Sequence, residues 1–175
     1  MAEAPDMLTL RHHRDLEGRE KRPIARRLLL SLLGLFCLLG LLNVFGQRPQ
    51  THVAASPAAS LRVYSPQRVR SGLIFESRFH IHALRDLGEA RIVLDSGWLE
   101  GMTLNTVEPG PVGEASDDGR LALELGHIPA GQDHILFLQF QVNPTNVAWH
   151  RPQNVELLDG NRVLTRLHRT ITVFP

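Results

Sequence analysis

His80-Ile81-His82 is the pair in this chain best spaced for chemistry. On a β-strand, residues two apart point the same way, so both imidazoles can face one ion. A zinc site needs three or four ligands. His52, His127, His134, His150 or a carboxylate could supply a third, and no spacing singles one out. The plainer reading, adopted here, is two polar residues on the wet face of an amphipathic strand.

Other groups are weaker. Glu114, Asp117 and Asp118 lie near Gly119 but lack the alternating acidic spacing of a dedicated calcium loop, and Asp-Gly commonly makes a turn. Asp95-Ser96-Gly97 holds a serine without the G-x-S-x-G elbow. A Ser–His–Asp site can be assembled from distant segments, and nothing here points to one. There is no glycine-rich phosphate loop and no dinucleotide fingerprint. Trp149-His150-Arg151 suits binding better, since Trp and Arg are frequent anchors of recognition surfaces. Trp149 also reads as a cap on the core, because Trp is highly buried on average.

The elements that would position these residues are short strands. In Leu73–Leu84, Phe75, Ser77, Phe79, Ile81 and Ala83 share one face; Glu76, Arg78, His80 and His82 share the other. His134–Val142 sends Leu136, Leu138, Phe140 and Val142 inward and Gln139 and Gln141 outward. Further strands are expected at Leu61–Tyr64, 91–96 (Ile92 and Leu94 inward), 102–107, around Leu121, Leu123 and Leu125, and at 155–158. The last is joined by an Asp159-Gly160-Asn161 hairpin to a strand starting at Val163. A final strand covers His168–Phe174; Arg169 shares parity with Ile171 and Val173, which suggests a bulge or an exposed end. Residues 108–119 and 143–154 read as loops. No helical stripe appears after residue 60. Seven to nine short strands with one wet face predict an antiparallel β-sandwich over 61–175.

Upstream, Leu28–Phe45 holds ten leucines in eighteen residues and no charge. Eighteen helical residues reach roughly 27 Å, close to the hydrocarbon thickness of a bilayer. Pro23 suits a helix start, so the span is placed at 23–46. Arg19, Lys21, Arg22, Arg26 and Arg27 precede it and only Arg48 follows closely, which orients the N-terminus toward the cytoplasm and the sandwich outside. The expected location is therefore the plasma (inner) membrane, with the lipid bilayer as one partner. Cleavage near Gly46 as a signal segment is the alternative. Gly34 and Gly40 are six apart and form no GxxxG pair. Residues 1–22 read as a short basic, disordered tail, and Gln47–Ser60, rich in Pro, Ala and Ser, as a flexible linker.

Charge and cysteine set limits. Residues 1–27 carry seven basic and five acidic residues; residues 48–175 carry twelve and thirteen. The outer domain is nearly neutral and has no basic stripe for nucleic acid. Cys37 is the only cysteine, so neither disulfides nor cysteine-based zinc sites stabilise that domain.

The segment Ile128-Pro129-Ala130-Gly131-Gln132-Asp133-His134-Ile135-Leu136-Phe137-Leu138-Gln139-Phe140, a proline–glycine turn running into an alternating strand, resembles that of small bacterial single-pass proteins. These carry one immunoglobulin-like or fibronectin-like sandwich outside the membrane. The resemblance implies architecture over 61–175, although the paired cysteines of true immunoglobulin domains are missing. The expected role is a non-catalytic binding or accessory module, without cofactor, for a membrane or envelope protein. A membrane-tethered metal-dependent enzyme using His80 and His82 is the alternative.

Overall fold

Alternating residues with one apolar face must bury that face against another sheet. The computed structural model, which describes residues 22–44 and 46–175, shows this arrangement for most of the chain. Arg19 and Lys21, and nearly all of the tail, lie outside the described residues.

The N-terminal unit contains α1, Arg22–Leu41, with Pro23 in its first turn. Its Pro23–Leu41 portion is long and apolar enough to cross a membrane, with mean hydropathy 2.0, and none of it is buried. It ends earlier than the expected position 46. Asn43 adopts a left-handed φ of 52°. Its N–H donates to the Gly40 carbonyl at 3.0 Å, and the Val44 N–H donates to Leu39 at 3.1 Å. That pair of bonds closes the helix with a Schellman cap, and Asn is one of the few residues that tolerates the conformation.

The second unit is an all-β sandwich of thirteen strands. They are β1 Pro49–Ala55, β2 Ala59–Pro66, β3 Arg68–Arg70, β4 Ile74–Ala83, β5 Leu87–Leu94, β6 Met102–Glu108, β7 Gly113–Asp117, β8 Arg120–Ile128, β9 Asp133–Val142, β10 Ala148–Pro152, β11 Val155–Asp159, β12 Arg162–Leu167 and β13 Thr170–Phe174. The first sheet runs β1-β2-β4-β9-β6 and the second β12-β11-β5-β8-β7. A small sheet, β10-β13-β3, contains the one parallel pair, β13 with β3.

The expected inward residues of β4 and β9 are all buried. Between the two large sheets lies a core centred on Trp98, whose ring sits 5.4 Å from both Phe79 and Phe140. Trp98 comes from a single 3-10 turn, Ser96–Trp98, and donates from Nε1 to the Asn154 carbonyl at 3.2 Å. Gly97 is required there: a Cβ would meet the Pro152 carbonyl oxygen at 1.9 Å.

Four expectations are corrected. Gln47–Ser60 is largely ordered: β1 pairs with β2 over seven residues, from Pro49↔Pro66 to Ala55↔Ser60, and Ser56 caps the turn between them. β1 lacks an apolar period because it is an edge strand whose ladder bonds, rather than burial, hold it. The supposed loops 108–119 and 143–154 contain the short strands β7 and β10. Arg169 neither bulges nor projects outward; it keeps its inward parity and is 4% exposed. Trp149 does not cap the core; it is 73% exposed.

Candidate functional site

The outer face of the first sheet collects the histidine pair. Cross-strand register places Val53, Arg62, His80 and Ile135 in one row. Thr51, Tyr64, Arg78, Phe137 and Glu108 form the next, and Ala55, Ser60, His82 and Asp133 a third. These side chains point away from the core because their neighbours, Leu61, Val63, Phe79, Ile81 and Leu136, are fully buried.

His80 and His82 share one partner. His80 Nε2 donates to Asp133 Oδ1 at 2.9 Å, and His82 Nδ1 donates to the same oxygen at 2.7 Å. An ionised carboxylate only accepts, so each ring carries its proton on the nitrogen facing Asp133. The two bonds, that from His82 first, hold the Asp133 carboxyl below the usual carboxylate range. Among the described residues, no group of three or more His, Cys, Asp or Glu is placed to hold a metal ion. The distant third ligands proposed from sequence do not converge: His127 pairs with Asp86 at 2.8 Å, and His52 bonds Gln67 at 3.0 Å.

The same face is unusually apolar for a solvated sheet. Val53, Tyr64 and Ile135 are 59%, 45% and 40% exposed. Arg78 lies 4.9 Å over the Phe137 ring, a cation–π arrangement. What this surface offers chemically is aromatic and aliphatic contact area with cationic and hydrogen-bonding groups interleaved. That mixture is characteristic of contact surfaces between proteins.

The Trp149, His150 and Arg151 group is split by a register shift between Ala148 and Arg151. Ala148 takes the inward place at 9% exposure and Trp149 turns outward, its ring edge-on to Phe174 at 6.4 Å. His150, with φ 51°, is exposed. Arg151 folds back, donating to the Glu100 carbonyl and to Asn146 Oδ1, so it braces the loop. Glu114, Asp117 and Asp118 do not form a cluster that binds an ion: Asp117 is held by Arg120 at 3.1 Å, and Asp118 adopts the left-handed φ of a turn. The Ser96 region serves the Trp98 turn.

Arg169 and Asp133 were missed from sequence. Arg169 places its guanidinium 4.8 Å over the Trp98 ring and donates from Nη2 to the Pro66 carbonyl at 2.6 Å. Burial pulls its pKa down to about 10. Burial and, next, the Arg169 charge keep the His52 imidazole below its ordinary value, so its Nε2 accepts from Gln67. The parity of Arg169 with Ile171 and Val173 was the available signal. Asp133 offered none, because its partners lie across a strand register.

No protein-family model matches this chain, and no curated protein is significantly similar to it. The surface chemistry therefore carries the functional argument alone.

Proposed function

We propose that this chain is a single-pass membrane protein, N-terminus cytoplasmic, that displays its sandwich outside as a non-catalytic binding module for another membrane or envelope protein. α1 supports the anchor by length and hydropathy, and the basic residues before it support the orientation. The observation that carries the binding role is the outer face of the first sheet. Tyr64, Ile135 and Val53 stand open, and Phe137 is half-buried beneath Arg78, among Arg62, His80 and His82. Exposed apolar groups gathered on one face mark interaction sites more often than solvated surface.

Site-specific photocrosslinking in cells tests this. A photoreactive residue at Tyr64 or Phe137 of the full chain is expected to capture one discrete membrane or envelope protein. The same residue at Arg166, on the second sheet, is expected to capture none. Equal, diffuse labelling from both sheets would remove the basis for the proposal. Fractionation of the same cells reports whether the sandwich stays tethered or is freed by cleavage near Gly46.

A further inference from the structure

One end of the sandwich gathers apolar side chains, and the chain enters there. Gln47 Nε2 donates to the Ile74 carbonyl at 3.1 Å, so the residues that follow α1 join the sandwich beside the start of β4. From there hydrogen bonds run across the end. Val142 N–H donates to Leu73, Gly72 N–H to Val142 and Ser71 N–H to Phe174. The Phe174 ring meets Trp149. Leu73, Ile74, Val147 and Trp149 are 45%, 51%, 61% and 73% exposed. Arg48, Arg68 and Arg70 are exposed at the same end. Its acidic groups are engaged or distant: Glu100 pairs with Arg151 at 3.6 Å, and Asp118 lies on the β7–β8 turn at the edge of the second sheet. The opposite end differs. It exposes Leu84, Val112 and Val163 and no tryptophan, and its Asp86, Glu89 and Asp133 are interleaved with Arg85 and Arg162.

Covalent reach fixes what can cover this end. The apolar portion of α1 closes at Leu41, and Gln47 follows six residues later. Six residues span at most about 20 Å when extended. If α1 crosses a bilayer, Gln47, where the chain joins this end of the sandwich, is held within that distance of the lipid surface.

We propose that this end docks on the phosphate-bearing headgroup surface of the bilayer that holds α1. This rests on the anchored reading above. Trp149, with Val147, Leu73 and Ile74, enters the boundary between headgroups and acyl chains, where an indole with an apolar body and an N–H donor is favoured. Arg48, Arg68 and Arg70 meet lipid phosphates. The sandwich is then held with the Trp149 end against the lipid and the Asp86 end outward.

Tryptophan fluorescence of the full chain tests this in vesicles of three parts phosphatidylethanolamine to one part phosphatidylglycerol, with or without bromine near the top of the acyl chains. Trp98 is fully buried and supplies a constant baseline. The expected result is quenching by the brominated lipid that vanishes in Trp149→Phe and weakens in the Arg68→Glu/Arg70→Glu double variant. Trp149 emission that is quenched by aqueous iodide and indifferent to bromine overturns the docking. Protection from iodide without bromine quenching also overturns it, because a protein, a second copy of this chain included, then covers the patch. Alkaline extraction of the same vesicles separates the two readings. A chain that washes out defeats the anchor itself; a chain that stays, with Trp149 in water, defeats only the docking.

Discussion

The two outer faces of the sandwich solve the same problem differently. On the second sheet, Val93, Ala122 and Leu158 form a small cluster outside the main core, with Ala115 packed against it. Charged side chains close over this sheet. Glu156 receives Arg166 at 2.8 Å and Arg120 at 3.3 Å, and Arg120 also holds Asp117. Glu156, Arg166, Arg120 and Asp117 are thus tied to one another within the domain. On the first sheet, Val53, Tyr64 and Ile135 stand at the surface; Arg78 pairs loosely with Glu76 at 3.8 Å, while Asp133 is held by His80 and His82. A face whose central apolar groups are covered and whose nearest charges are paired offers a partner less than one where both stand open. The first sheet retains both kinds of group.

The comparison is broken most directly by placing one charge on each face. Val93→Asp strands a carboxylate in the covered cluster and is expected to cost about 4 kcal/mol of stability. Val53→Asp, on the open face, is expected to stay within about 0.5 kcal/mol. Denaturant melts of the full chain in detergent measure both, and similar losses would erase the distinction. Next in size, Tyr64→Ala with Phe137→Ala is expected to weaken partner capture by more than about 30-fold, the loss of a contact hot spot. Folding is expected to change little, because Tyr64 is already half exposed. Glu156→Ala should do the reverse, removing about 2 kcal/mol of charge-assisted bonding while capture persists.

Acid provides the finer comparisons. His134 is half-buried, and burial lowers its pKa from 6.5. The folded state therefore prefers the neutral ring, and stability falls as pH drops below about 6.5, where the unfolded chain takes up the proton first. His134→Gln should flatten that part of the profile. The smallest effect belongs to Asp133, whose carboxyl lies below its ordinary 3.8. Its contribution holds above that value and fades as pH falls through the lowered one. Asp133→Asn should differ from the natural chain in melting temperature at pH 6, and the difference should shrink as pH falls below 3.8 through the lowered value.

Sequence legibility followed burial. β4 and β9 could be read almost residue by residue because each alternates strictly against a full core. β1, β7 and β10 could not. They are edge strands without a regular apolar period, and their partners, rather than their own periods, make them strands. His80 and His82 could be seen as neighbours on one face, whereas the carboxylate between them depended on the register of β4 with β9. Trp149 shows the limit of average preference: a one-place shift in β10 exchanged Ala148 for Trp149 at the core.

The first strand has a mechanical meaning. β1 starts at the end where the chain arrives from α1, and its seven residues run alongside β2 toward the opposite end. Suppose a pull through residues 46–48 runs along the strand axis. The β1–β2 ladder is then loaded in shear, with its cross-strand bonds sharing the force, instead of being peeled one bond at a time. If, as proposed, α1 anchors the chain and a partner grips the outer face of the first sheet, such a load passes through the attachment without first unravelling it.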